Sequence, residues 1–195
     1  NSTTMKLSSG MNSVEKAITT TGLVADWQFY SVSDGVVSSD KQSWAIGQFI
    51  TDLTPTTETS YDVFNDLYSK YVLKITPAST GNPSIVIDNL SLDVDLSSVI
   101  SIRVKANPKS KVLNLGKIKV YWAYDGGIFN ISADTALHTS DNYIQYKISP
   151  IWKGTIGKLQ IEFTDLPENN ERPDEIVIDL IQIQSNENVF DINNK

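Results

Sequence analysis

The chain has 195 residues, 40% of them hydrophobic and 20% charged, and a formal net charge of −7 at pH 7. That length and apolar share suit one domain with its own core and exclude wholesale disorder. The negative charge makes phosphate backbones and anionic lipid poor partners, so nucleic acid and membrane surfaces are not expected, and no apolar run is long enough for a membrane-spanning helix. With no Cys and one His, disulfides, thiolate nucleophiles, Cys-type zinc sites and iron–sulfur clusters are excluded; any metal would take oxygen ligands, as calcium or magnesium do.

Residues 1–22 hold nine Ser or Thr and read as a polar N-terminal arm or linker. Asn1–Lys16 has no apolar run of the secretory kind, so no signal peptide is expected within it. The body of the domain spans 23–185, and 186–195 is a second polar tail. Strands are expected over 26–32 and 43–50. Over 60–70, Ser60 can cap a short helix in which Val63, Phe64, Leu67 and Tyr71 recur at helical spacing, so a helical insertion is predicted there. From Tyr71 onward the period is two. Strands are predicted over 71–76, 85–88 and 100–106, the last with Ile100, Ile102, Val104 and Ala106 against Ser101, Arg103 and Lys105. Further strands follow over 117–124, 143–148, 159–163 and 176–183. Asp125-Gly126-Gly127 is a hairpin-type turn. Strands with one apolar face joined by turn signals, without alternating helices, predict an all-β antiparallel two-sheet sandwich of the jelly-roll kind.

Catalytic signals are weak. His138, the single His, lies in the polar stretch Ala136-Leu-His-Thr-Ser-Asp141 with no nucleophile elbow nearby, and reads as a solvated side chain. The 23 acidic residues include no strongly marked pair for glycoside hydrolysis, and phosphate-cradling glycine loops are absent. Sugar binding asks for less: a flat ring against the C–H face of a pyranose and polar side chains around its rim. Tyr121 shares a register with Lys117 and Lys119 and is the best candidate for an exposed platform. Trp122 and Tyr124 fall in register with Ile118 and Val120, so core packing competes with ligand contact at both. Trp44 stands where early strands meet a loop and could serve either purpose.

The order of features in the C-terminal half is distinctive. It runs Ile118-Lys-Val-Tyr-Trp122, Asp125-Gly-Gly127, Tyr146-Lys-Ile-Ser-Pro150, Trp152-Lys-Gly-Thr-Ile156, Leu159-Gln-Ile-Glu-Phe163 and Ile176-Val-Ile-Asp-Leu-Ile-Gln-Ile183. More loosely, Trp27-Gln-Phe29, Asn82-Pro-Ser-Ile-Val-Ile87 and Val99–Lys105 look like the family's early strands. The chain thereby resembles the galactose-binding-like jelly rolls of carbohydrate-binding modules over about 23–185. It departs from their pattern before Ser43-Trp44 and in a longer stretch over 54–70. The resemblance implies that Trp152 is a structural plug. It also implies a structural calcium held by Asp179, in the Ile-Asp-x-Ile position, with Asp26 as a partner. A carboxylate inside an apolar strand is costly unless paired or metal-bound, and a hydrogen bond to an amide or a Lys is the competing account of Asp179.

The function expected is a non-catalytic carbohydrate-binding module for cell-wall or extracellular polysaccharide. It would sit outside the cell, on a cell surface or a virion, as part of a larger protein assembly such as a phage tail. The alternative is a structural or assembly jelly roll without a sugar site, whose N-terminal arm docks on a partner.

Overall fold

The computed structural model describes residues 21–61, 67–108, 114–124, 127–129 and 131–186. Alternating apolar and polar side chains lay these residues into strands. In chain order they are β1 (Thr21–Trp27), β2 (Tyr30–Ser33), β3 (Val36–Ser39), β4 (Ala45–Gln48), β5 (Ile50–Tyr61), β6 (Leu67–Pro77) and β7 (Ser84–Ile87). β8 (Leu92–Val94), β9 (Ser98–Pro108), β10 (Asn114–Tyr124), β11 (Ile131–His138), β12 (Ser140–Ile148), β13 (Gly154–Thr164) and β14 (Pro173–Asn186) follow. The first sheet has the order β12-β9-β14-β6-β5, with β1 also on β14; the second has β11-β10-β13-β7-β4, with β8 also on β13. The strand pairs are antiparallel. β2 and β3 form a separate hairpin, turned by Asp34 and Gly35 at φ 51° and 78°, the mirror-image turn that matches strand twist.

One core lies between the sheets. Ile100, Ile102 and Val104 of β9, Leu73 and Ile75 of β6, and Ile176, Ile178, Ile181 and Ile183 of β14 belong to it, as do Ile118, Val120, Leu159, Ile161 and Phe163 of the second sheet. Each such side chain contributes about 1.5–3 kcal/mol by leaving water. The two sheets thus bury what the period-two pattern marks as apolar. β3, β5, β8 and β11 exceed the strands expected, because their residues are too polar or too few to show an apolar face.

The helix expected over 60–70 does not form. Among the described residues the one helical element is a 3-10 turn at Asn169–Glu171, and the insertion is instead a long hairpin. β5 and β6 pair from Ile50↔Pro77 to Tyr61↔Leu67, with one irregularity between Ile50 and Asp52. An isolated eleven-residue helix is marginal in water, whereas a Thr-rich β5 offers the same residues a partner strand. Residues 62–66, including Val63 and Phe64, lie outside the described residues, as do 1–20 and 187–195 of the polar tails and Asp125 and Gly126 of the turn. Thr21 and Gly22 pair with Asn186 and Ser185, so β1 and β14 meet at their outer ends.

The indoles plug this core in two pairs, Trp27 with Trp44 at 5.5 Å and Trp122 with Trp152 at 5.6 Å, both edge to face. Trp152 Nε1 donates to Ser98 O at 3.0 Å, while the buried Nε1 atoms of Trp44 and Trp122 have no acceptor among the described residues. An unpaired buried N–H costs about 1–3 kcal/mol. Trp122→Phe is therefore expected to destabilise less than Trp152→Phe, by about 1 kcal/mol, in urea unfolding. A larger loss at Trp122 would contradict this account.

Candidate functional site

The polar face of the first sheet is organised around a bulge. Ile178 pairs with Val104 and Leu180 with Arg103, so Asp179 is the extra residue on β14. The bulge restarts the alternation, which explains why the core isoleucines fall at 176, 178, 181 and 183. It also turns Asp179 away from the core, although the side chain is buried. Arg103 Nε donates to both carboxylate oxygens at 2.7 and 2.9 Å, Arg103 Nη2 lies 2.7 Å from Oδ2, and Lys70 Nζ lies 2.5 Å from it. The apolar strand tolerates the charge because two cations compensate it.

Lys70 arrives there because β6 leaves the sheet. β14 pairs with β6 only over Ile176–Ile178; from Ile181 onward the same edge of β14 is taken by β1. The β5–β6 hairpin continues past this point and has to rise out of the sheet plane. Its side chains then reach strands they do not pair with. Glu58 of β5 accepts from Lys105 Nζ of β9 at 2.9 and 3.0 Å and from Tyr143 Oη of β12 at 2.7 Å. β5 and β12 are opposite edges of the sheet, about 19 Å apart at ~4.8 Å per strand. Two side chains do not span that distance, so the arm folds over the sheet face. Lys70 and Lys105 hold their ammonium groups 4.1 and 4.9 Å from the Tyr143 ring centroid, each a cation–π contact.

Beside this arm lies a groove of about 230 Å³ lined by Gln28, Tyr30, Lys70, Tyr71, Arg103, Asp179 and Leu180. Tyr30 and Tyr71 meet at 5.5 Å between ring centroids with 44° between their planes, and both are half-buried. The groove thus joins two partly uncovered phenol rings to an arginine–carboxylate–lysine cluster and a glutamine amide. A second hollow is lined by Lys105, Asp174, Glu175 and Val177.

Protonation governs how firmly the arm is held. Burial alone would raise the Glu58 carboxyl, but hydrogen bonds from Lys105 and Tyr143 and the charges of Lys105 and Lys74 outweigh it and hold the group below its ordinary 4.5. Burial and the hydrogen bond to Glu58 push the Tyr143 phenol far up, so it stays a donor. A carboxyl with a lowered folded value stabilises above its unfolded value, and that contribution is lost as pH falls through the folded one. The protection of amides in 52–59 and 70–76 against hydrogen exchange, relative to their intrinsic rates, is accordingly expected to fall as acid protonates Glu58, and Glu58→Gln should lose much of that pH dependence. Protection in the variant that falls on acidification as in the wild type would show that Glu58 does not hold the arm.

The residues picked out from sequence fall in several places. Trp44 and Trp122 are each 1% exposed, so the expectation that they contact ligand is corrected: both rings are enclosed by core side chains. Tyr121 lies half-buried on the outer face of the second sheet, with its hydroxyl 3.3 Å from Glu162 Oε1 and Lys119 Nζ 4.9 Å from its ring. Tyr124 is 40% exposed at the end of β10. None of the four lines the groove. His138 is exposed, and its backbone N–H donates to Tyr146 Oη at 3.1 Å.

Asp179 lines the groove, whereas Asp26 accepts from Gln28 Nε2 at 2.6 Å and from Gln182 Nε2 at 3.1 Å. This donor set does not fit calcium. The Asp179 oxygens face two cations, and among the described residues no group of three or more His, Cys, Asp or Glu is placed to hold a metal ion. Sequence reasoning missed Gln28, Tyr30, Lys70, Tyr71 and Arg103 as one site. The available signal was Asp179 itself, a carboxylate whose apolar strand demanded a cationic partner.

No family model matches the chain, and no curated protein matches it. Solved structures do. The CBM22-1 xylan-binding domain from Paenibacillus barcinonensis Xyn10C superposes with a TM-score of 0.55 at 17% identity, over 87% of this chain and 98% of that one. An exo-beta-agarase superposes with a TM-score of 0.51 at 10% identity, over 85% of this chain and 25% of the enzyme. These likenesses establish the fold: a jelly-roll β-sandwich like that of a carbohydrate-binding module, also found as one part of a larger enzyme.

Proposed function

We propose that the domain is a non-catalytic carbohydrate-binding module whose ligand occupies the groove beside the β5–β6 arm. The observation that carries this reading is the joining of a half-buried Tyr30–Tyr71 pair to a pre-paired Arg103–Asp179–Lys70 cluster in a groove of about 230 Å³, roomy enough for a sugar ring. The phenol rings offer an apolar surface to ring C–H groups, and the charged cluster with Gln28 offers donors and acceptors for hydroxyls. The fold shared with a xylan-binding domain supports the same class of ligand. One shallow site binds weakly, so the domain works by repetition or by attachment to a larger body outside the cell, such as a cell-surface enzyme or a virion appendage.

The test is calorimetric titration and affinity electrophoresis with xylan, agarose, β-glucan and pectin, each as polymer and as oligosaccharide. Binding of at least one at micromolar to millimolar affinity, with protection of Tyr71 and Arg103 in hydrogen exchange or NMR, is the expected result. Absence of binding to the whole panel at millimolar sugar overturns the proposal.

A further inference from the structure

The groove is assembled from two parts of the chain. Lys70 and Tyr71 come from the β5–β6 arm, whereas Gln28, Tyr30, Arg103, Asp179 and Leu180 come from the body of the domain. The first sheet does not fix the arm's share. β6 pairs with β14 at Leu73, Lys74 and Ile75 and no further out. Among the described residues, the strand partners of Lys70 and Tyr71 are therefore Glu58 and Thr57 of β5, which belong to the same arm. A two-stranded hairpin is marginal by itself, so this wall of the groove takes its place from the side chains that tie the arm to the strands beneath it.

Glu58 makes such a tie from outside the groove. Its carboxylate accepts from Lys105 of β9 and from Tyr143 of β12, and it is the direct cross-strand partner of Lys70. The Tyr143 ring lies 4.1 Å from Lys70 Nζ, and that same Nζ pairs with Asp179 in the groove. Glu58 thus reaches the groove wall by two routes, through the strand pair and through the ring against which the Lys70 ammonium rests. The other charged groups around it are Lys74 on its own arm, with Asp179 and Arg103 beyond Tyr143. The Lys74–Glu175 ion pair also joins arm to sheet, at 3.0 Å, but it lies where β6 is already paired with β14. Breaking it leaves a backbone ladder in place; breaking the Glu58 contacts does not.

We infer that Glu58 is a positioning residue of this site: from outside the groove it sets where Lys70 and Tyr71 stand, and sugar affinity depends on it. The inference rests on the sugar reading of the groove and adds a coupling to it. Sugar and the Glu58 contacts favour the same arm position. By linkage, a sugar in the groove tightens those contacts by the factor by which they tighten the sugar.

The full chain is compared with Glu58→Gln, Tyr143→Phe and Glu175→Gln at matched stability. Tyr143→Phe removes the hydroxyl that donates to Glu58 and keeps the ring beside Lys70; Glu175→Gln, which breaks the Lys74 pair, is the control. The probe is whichever oligosaccharide of xylan, agarose, β-glucan or pectin binds the wild type. Kd is expected to rise about fivefold in Glu58→Gln and about twofold in Tyr143→Phe, as for the coupling of contacting residues, and to stay at the wild-type value in Glu175→Gln. Wild-type Kd should also rise as acid protonates Glu58, and Glu58→Gln should lose that rise. A readout without sugar is the NMR signal of the Lys70 ε-CH2 group, which the Tyr143 ring shifts and which should move toward its unfolded position in Glu58→Gln. An unmoved Lys70 signal, or a wild-type Kd in Glu58→Gln for a sugar whose binding Tyr71→Ala weakens, overturns this inference and leaves the groove as the sugar site. An equal loss of affinity in Glu175→Gln overturns it as well, and so does an acid-dependent Kd that Glu58→Gln retains, which belongs to another group such as Asp179. Failure of the wild type to bind any of the four glycans overturns the sugar reading and this inference with it.

Discussion

Asp179→Ala is expected to destabilise the domain by about 3 kcal/mol, the low end of the range for breaking a buried ion pair. Its thermal midpoint should fall by roughly 6–12 °C, as that loss implies for a domain of this size. The carboxylate is fully enclosed, and removing it leaves Arg103 and Lys70 facing each other. The Lys70 side chain is 16% exposed and that of Arg103 40%, so the arginine can turn partly to water, which places the loss at that low end. The β5–β6 arm should also loosen, because Lys70 is its anchor on β14. A triple variant, Asp179→Leu with Arg103→Met and Lys70→Met, should recover most of the stability, since replacing a whole buried cluster by apolar groups costs far less than removing one member. Thermal and urea unfolding followed by circular dichroism measure both effects. A single variant within 1 kcal/mol of the wild type, or a triple variant no better than the single, would show that the cluster does not hold the fold as described.

Tyr71→Ala should cost the proposed sugar site about 2 kcal/mol, the order expected for losing an aromatic face that a ligand buries. That corresponds to a rise in Kd of roughly thirtyfold. Tyr71→Phe keeps the face and should bind within a few-fold of the wild type. Two effects reinforce each other in the alanine variant: the ring itself is gone, and Tyr30 loses the neighbour that holds it 5.5 Å away. Comparing the two variants at matched stability separates loss of ligand contact from loss of fold. Unchanged affinity in Tyr71→Ala, for a glycan that the wild type binds, would move the site away from this groove.

The period-two pattern was sufficient for the sandwich because burial acts on alternate residues of a strand whatever the partner strand is. It failed over 60–70, where Val63, Phe64, Leu67 and Tyr71 also satisfy a helical period; the choice there depended on β5 being available to pair. Trp122 illustrates the same logic. Its register with Ile118 and Val120 already pointed inward, and its ring is enclosed. Trp44 carried no such register, and only its packing on Trp27 decided its place. The motif order around Trp152 and Asp179 led to the right fold but implied a calcium ligand at Asp179. The hairpin arm supplies Lys70, and β9 supplies Arg103, where a metal was expected.

Sequence alone determined the all-β class, the apolar faces that form the core, the poverty in catalytic groups and the need of Asp179 for a partner. Each is a local property, set by a residue and its immediate neighbours. Tertiary structure alone decided which partner Asp179 takes, that Tyr30 and Tyr71 meet, and that the β5–β6 arm crosses the first sheet. These depend on β1 occupying the edge of β14 that β6 would otherwise hold, a competition between segments about 45 residues apart that no window of sequence contains.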